Sequence, residues 1–295
     1  MHSHRIDQLI QKHWDDACVN PLDIPGELDA GLGMPVIYLF RLIHFLSMRN
    51  LVLAPAERVK QLPCELFLSL SYCDGSPSTQ MGGRPYRPAG IPWPAHRRTG
   101  QPMEFVGQFC FDRTKEQFSH LPGDLLLFFI VELSGLASDS PDDEFRFEWY
   151  ELPFAPDANL SNETWNGHTA VPYPSYDVQS EEALDMAEVF LQQHVPDWDW
   201  RSYYARHLLC FPGVKIGGAP AFRDPEVNVP EDSFLLSLST CGPPLETPFP
   251  WIDTPTPIAL EVGFHMDGDV ITARDGFLMN LYYDQGTITR EVMFW

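Results

Sequence analysis

The chain has 295 residues, 44% of them hydrophobic and 13% aromatic, and its 41 acidic against 19 basic side chains give a net charge of −22. That is enough apolar material for a sizeable core, in one large domain or two small ones. The charge argues against nucleic acid as a partner, because such binding rests on neutralising phosphates, and it favours a cationic partner with fast, salt-sensitive association.

The six cysteines (Cys18, Cys64, Cys73, Cys110, Cys210 and Cys241) include no Cys-x-x-Cys pair. This is neither a dense disulfide scaffold nor a zinc ribbon. The opening Met1-His2-Ser3-His4-Arg5 leads into a polar amphipathic segment rather than an apolar signal core. The most apolar run, Val36 to Leu53, is interrupted by Arg41, His44 and Arg49 and is too short and charged to span a membrane. A reduced, soluble, cytoplasmic protein is expected.

Ile6, Leu9, Ile10, His13 and Trp14 fall at helical spacing, which predicts an amphipathic helix over residues 4 to 17. Asn20 to Pro35 is rich in proline and glycine and reads as a loop. Val36, Leu39, Phe40, Ile43 and Leu46 predict a second helix, and Pro55 to Leu62 a short third. Helices first and strands afterwards is an α+β order. Leu66 to Tyr72 reads as a strand.

Next comes Met81-Gly82-Gly83-Arg84-Pro85-Tyr86-Arg87-Pro88-Ala89-Gly90-Ile91-Pro92-Trp93-Pro94. Paired glycines allow a turn that a Cβ would forbid, and the prolines exclude helix and central strand. A rigid, extended loop anchored by Tyr86 and Trp93 is expected. Phe105 to Phe111, Leu125 to Leu133 and Phe145 to Leu152 are strand-like, and Leu125 to Val131, apolar on both faces, reads as a central strand.

Asn159 to Tyr176, carrying Pro172 and Pro174, reads as a surface excursion. Ser180 caps a helix whose apolar stripe is Leu184, Ala187, Val189 and Leu191. Trp198 to Leu209 reads as another helix. The last third predicts strands at Phe234 to Ser239, Ile258 to His265, Val270 to Ala273, Phe277 to Tyr283 and Ile288 to Phe294, with a hairpin turn at Asp267-Gly268.

The chain repeats itself. Ile216-Gly217-Gly218-Ala219-Pro220 echoes Met81-Gly82-Gly83-Arg84-Pro85, and each copy precedes two apolar runs. The second runs, from Gly123 and from Gly276, align without gaps as Gly-x-Leu-x-x-(Phe/Leu)-aromatic-apolar. Matched signals in one order argue for an internal duplication within one domain.

The pattern Gly82, Gly83, Pro85, Pro88, then Trp93-Pro94, then Gly100, Pro102, Met103, Phe105 and Gln108, then Leu121, Pro122, Leu125, Phe128, Phe129 and Ile130 resembles the YwqG-like family, a domain of unknown function. Lys215-Ile216-Gly217-Gly218 resembles that family's second half, and the likeness runs over roughly residues 65 to 295. The resemblance implies an α+β fold with an internal repeat and no established enzymatic activity. Members recur beside secreted polymorphic toxins and are thought to act as immunity proteins. The expected organisation is a helical segment, residues 1–64, packed on a main domain, residues 65–295. Within that domain a first half spans about 65–155, an acidic connection 156–209 and a second half 210–295. The core is expected to be largely antiparallel, with two pseudo-symmetric halves.

From Glu132 to Asp199 there are sixteen acids and one base, Arg146. This stretch reads either as a solvated face or as a docking surface for a basic protein. Asp139, Asp142, Asp143, Glu144, Asp157, Glu163, Trp165, Asp197, Trp198 and Asp199 are the candidate contacts, aromatic anchors within a charged rim being a usual interface design. Asp139 to Glu144 lacks the residue order of a calcium loop, so no metal and no cofactor is expected. His207 and Cys210 share a helical face, but no nucleophile signature surrounds them. Gly82, Gly83, Pro85, Trp93, Gln108, Gly217, Gly218 and Pro220 are assigned to structure, since neither glycine pair has a phosphate-loop context. The reading is a non-enzymatic, monomeric immunity protein that neutralises a basic toxin of the nuclease kind, with no nucleic acid or membrane partner. The alternative is a hydrolase or small-ligand protein using a cleft between the halves, lined by Arg84, Gln108 and the aromatic loop.

Overall fold

The computed structural model describes residues 59–69, 76–131, 142–157, 168–194, 208–210, 214–220, 229–239, 244–245, 258–259 and 277–294, together with 49, 53, 205 and 206. The strands are β1 (Gln61–Ser69), β2 (Gln80–Met81), β3 (Glu104–Cys110), β4 (Leu125–Ile130), β5 (Phe145–Tyr150), β6 (His168–Val178), β7 (Lys215–Gly217), β8 (Phe234–Ser239), β9 (Pro244–Leu245), β10 (Ile258–Ala259), β11 (Phe277–Asp284) and β12 (Thr287–Phe294). One α-helix, α1 (Glu181–His194), is described with its bounds.

This overturns the expected α+β class. The described chain is mostly strand, in a ten-stranded antiparallel sheet and a two-stranded one. The physical reason is that the aromatic and aliphatic runs bury both faces against other strands, leaving little apolar surface for helices to cover. The helices expected over 4–17 and from Val36 lie outside the described residues, save Arg49 and Leu53, which are helical. Leu62, expected to end a third helix, belongs to β1. The expected hairpin at Asp267-Gly268 and strand at Val270 to Ala273 also lie outside the described residues.

The large sheet runs β12-β11-β8-β7-β1-β6-β2-β3-β4-β5. The order is symmetric about the β1–β6 pair. Each flank begins with a Gly-Gly strand and ends with two long paired strands. β1 of the first half pairs with β7 of the second, and β6, which falls within the segment expected to be an acidic connection, pairs with β2 of the first. The β1–β7 pair therefore links the halves at the centre of the sheet.

The register repeats as well. Gln80 faces Gln108, which faces Leu127, which faces Glu148. In the other flank Lys215 faces Ser237, Ser237 faces Asn280, and Asn280 faces Glu291. Residues directly opposite share a face of the sheet. The second flank thus carries an unbroken row of polar residues, and the first carries the same row interrupted by Leu127.

The opposite faces meet. Phe67, Val106, Phe109, Leu126, Phe128, Ile130, Ile216, Leu236, Leu238, Met279 and Leu281 join one core, with Phe147, Trp149, Ile288 and Val292 packed against it. Trp149 of β5 lies 5.7 Å from Tyr283 of β11, edge to face. The Arg290 guanidinium of β12 sits 3.9 Å over the Phe145 ring of β5. The two outermost strands are therefore neighbours, and the sheet folds back on itself around the core. Strand β4 is buried along its whole length. Its even-numbered residues face this core, while Leu125, Leu127 and Phe129 face a second one with Met103 and Phe105, capped by Tyr86, Trp93, Leu152 and Phe154.

Strand β6 replaces the expected surface excursion over its length. Two prolines argue against a strand paired on both sides, and the register shows how they are accommodated. Pro172 and Pro174 face Phe67 and Glu65. The Phe67 N–H donates to Val214 O at 3.0 Å, away from β6. Phe67 and Pro172 thus form a non-hydrogen-bonded pair, so the missing proline N–H interrupts nothing. Strand β2 pairs β6 only at His168 and Thr169, short of both prolines.

Candidate functional site

The residues assigned to structure are built into two equivalent turns. Gly82, Gly83, Gly217 and Gly218 all have positive φ, between 63° and 78°. In the first turn Gln80 Nε2 donates to Gly82 O at 3.0 Å and Arg84 O at 2.8 Å. In the second, Lys215 Nζ donates to Ala219 O at 2.6 Å. Both side chains tie down the carbonyl four residues on. Lys215 is also ion-paired with Asp177 of β6, and both side chains are fully buried. Asp177 Oδ2 accepts from the Ala219 N–H at 3.0 Å. Pro220 follows, half-buried.

Beyond the first turn, Arg87 is 1% exposed. Its Nε donates to Glu148 Oε2 at 2.8 Å, Nη1 to Ile91 O and Nη2 to Pro92 O, each at 2.7 Å. Tyr150 O–H donates to the same Glu148 Oε2 at 2.7 Å. Burial first, and then that bond, pushes the Tyr150 phenol up to about 12. Trp93 Nε1 donates to Met103 O at 2.7 Å. Arg87 braces the loop from within, a role that spacing alone does not reveal. In the second flank Glu291 accepts from Asn280 Nδ2 at 3.0 Å and Tyr282 O–H at 2.6 Å, so each flank pairs a glutamate with a tyrosine.

The residues proposed to line a cleft are committed elsewhere. Gln108 Oε1 accepts from the Tyr86 N–H at 2.7 Å, and its Nε2 donates to Ser76 O and Ser78 O at 3.1 and 2.7 Å. Arg84 Nη2 donates to Asp157 O at 2.7 Å. A cavity of about 300 Å³ lies instead at the β3–β4 connection, lined by Phe111, Lys115, Phe118, Asp124, Glu151 and neighbours. Lys115 Nζ sits 2.6 Å from Asp124 Oδ1. Asp124 is held below the usual aspartate range, first by that hydrogen bond and further by the Leu152 N–H. The same bond raises Lys115.

Three thiols lie among the described residues, Cys64 and Cys210 buried and Cys110 half-buried. Burial pushes Cys64 and Cys110 up, and Cys210 up to about 12. Cys210 Sγ contacts Val178 O at 3.5 Å. His207, its suggested partner, lies outside the described residues.

Of the candidate partner contacts, Asp139, Glu163, Trp165, Asp197, Trp198 and Asp199 lie outside the described residues. Asp142 and Glu144 bound a short 3-10 turn ahead of β5, with Asp143 exposed between them. Asp157 is half-buried, its N–H donating to Arg87 O at 2.8 Å. Further described acids lie on α1. Its four acids, Glu181, Glu182, Asp185 and Glu188, are accompanied by no Lys or Arg. Glu181, Glu182 and Asp185 are exposed, while Ala183 and Ala187 are fully buried. Val189, expected in the buried stripe, is 53% exposed. At three- and four-residue spacing Glu182, Asp185, Val189 and Gln192 share one outward face. The helical period alone could have placed Val189 there once the alanines were taken as the packing face.

Among the described residues no helix is long and apolar enough to cross a membrane. No curated protein matches the chain. The sequence profile of one family, described as Domain of unknown function (DUF1963), matches residues 79–252, spanning the first Gly-Gly loop, α1 and the second Gly-Gly turn. That fits the YwqG-like pattern, and the chain belongs to this family.

Proposed function

We propose that this chain is a non-enzymatic binding protein, an immunity protein that captures and neutralises a basic toxin of the nuclease kind. The observation that carries the reading is the outward face of α1, where Glu182 and Asp185 precede the exposed Val189 on a helix without a single Lys or Arg. An apolar anchor inside a one-signed rim suits capture of a cationic surface. The net charge of −22 adds long-range steering toward such a partner. A nuclease must present cations to hold phosphates, so an anionic protein competes for the same surface. The buried polar groups support the same reading, because Gln108, Arg87, Glu148, Asp177 and Lys215 are spent on holding the fold.

Co-expression with the product of the adjacent gene tests this. Cells carrying the toxin survive with the parent chain, and lose protection when Glu182, Asp185 and Glu188 are changed to Lys. Equal survival with and without the chain, and no complex on co-purification, overturns the reading.

A further inference from the structure

The connection from β3 to β4 and the chain just after β5 enclose the cavity of about 300 Å³. Phe111 and Phe118 form its apolar wall, edge to face at 5.7 Å and both buried. Lys115, Ser119, Asp124 and Glu151 supply its polar side. Asp124 is the fixed member. Its N–H donates to Tyr150 O at 2.9 Å, and its carbonyl accepts from the Phe111 N–H at 2.7 Å. Its Oδ2 accepts from the Leu152 N–H at 3.1 Å, and Lys115 Nζ lies 2.6 Å from its Oδ1. Asp124 is buried, whereas Lys115, Ser119 and Glu151 are exposed at the rim.

This lining narrows the class of ligand. One cation stands against two carboxylates, so an anion such as phosphate is repelled. A cationic ligand meets in Asp124 a carboxylate that Lys115 already neutralises. A purely apolar ligand strips water from polar side chains and returns no hydrogen bond. The ion pair, left intact, still has bonds to give. An ammonium carries three donors, and Asp124 takes one of them. A carboxylate offers about four acceptor sites, of which Lys115 and the Leu152 N–H use one each. Donors and acceptors thus stand side by side, which matches adjacent hydroxyls, each able to donate and accept. A volume of about 300 Å³ is at the small end for ligand pockets and suits a single ring.

We propose that this cavity binds a neutral polyhydroxylated ligand the size of one sugar ring. Asp124 accepts from one hydroxyl and Lys115 donates to its neighbour. Ser119 and Glu151 meet hydroxyls at the rim, and the C–H face of the ring lies toward Phe111 and Phe118. None of the α1 residues takes part, so this binding stands apart from toxin capture.

The experiment titrates D-glucose, D-galactose, D-mannose and myo-inositol separately into the labelled full chain and follows amide shifts by NMR. At least one probe is expected to saturate, with a dissociation constant on the order of 1 mM for so small a ligand. The Asp124 and Leu152 amides shift, and sodium phosphate and benzylammonium chloride leave them in place. Lys115→Met and Asp124→Asn each weaken binding about 10-fold. Lys115 is exposed, so its variant tests the site even where the Asp124 variant folds poorly. The proposal is overturned if none of the four probes saturates, or if Lys115→Met binds as well as the parent. It is equally overturned if phosphate or benzylammonium occupies the cavity instead.

Discussion

Lys215 and Asp177 form an ion pair with no exposed side-chain area on either partner. It joins the second Gly-Gly strand to β6, a strand at the centre of the sheet. Gln80 holds the equivalent position in the first half as a neutral amide, tying down the same carbonyl four residues on. One flank is thus braced by a charge pair and the other by an amide.

Removing one member of a buried pair strands the other. Lys215→Ala is expected to destabilise the fold by roughly 3–5 kcal/mol. Lys215→Gln combined with Asp177→Asn, which copies the neutral brace, loses much less. Urea unfolding of the three proteins measures the difference. Equal losses would mean that the charges matter no more than the volume.

The Gly-Gly turns predict a graded series. A Cβ on Gly218 would lie 2.2 Å from Asp177 Oδ2, at φ +78°, whereas one on Gly90, at φ +80°, meets nothing within 4 Å. Gly90→Ala carries the left-handed strain alone, about 1–2 kcal/mol. Gly218→Ala adds a clash with a buried carboxylate and is expected to cost clearly more. Melting temperatures of the two variants check the order.

Arg87 braces the loop through a planar fork that lysine cannot reproduce. Arg87→Lys keeps the charge but loses the simultaneous grip on Glu148, Ile91 O and Pro92 O. Faster amide exchange at Gly90, Ile91 and Trp93 is expected, with exchange in β11 unchanged. A uniform increase across the sheet would contradict a local role.

Acid stability separates two carboxylates of opposite sign. The folded-state pKa of Asp124 is lowered, chiefly by Lys115, so its contribution is present above the ordinary aspartate value. It fades as pH falls through the lowered value. Glu65 is raised by burial, with Arg113 at 3.0 Å opposing the shift. Its contribution is present at low pH and is lost as pH rises through its raised value. Lys115→Ala is therefore less stable than the parent above the ordinary aspartate value and converges on it as pH falls, and Glu65→Gln gains relative to the parent as pH rises. Unfolding curves from pH 3 to pH 7, a window set by the ordinary carboxylate values of about 4, read both trends.

The apolar runs were the legible part of the fold. Phe234 to Ser239 is strand β8 as read, and the strands from Phe105, Leu125, Phe145, Phe277 and Ile288 differ by a few residues at their ends. They were legible because their aromatic and branched residues fit a buried sheet in any context. Strand β6 was not, because Pro172 and Pro174 signal a loop until the partner register shows that no bond is lost. Val189 was misplaced because small residues, Ala183 and Ala187, form the packing face of α1. Arg87 with Glu148, and His96 with Asp143, join distant segments, and no local spacing announces such pairs.

Binding through the acidic face of α1 is tested most directly by the salt dependence of association. The association rate of the full chain with the purified product of the adjacent gene should fall steeply between low and physiological salt. In the variant with Glu182, Asp185 and Glu188 changed to Lys it should be slow at every salt concentration, with an unchanged melting curve. A rate that ignores salt, or a variant that binds as fast as the parent, would contradict it.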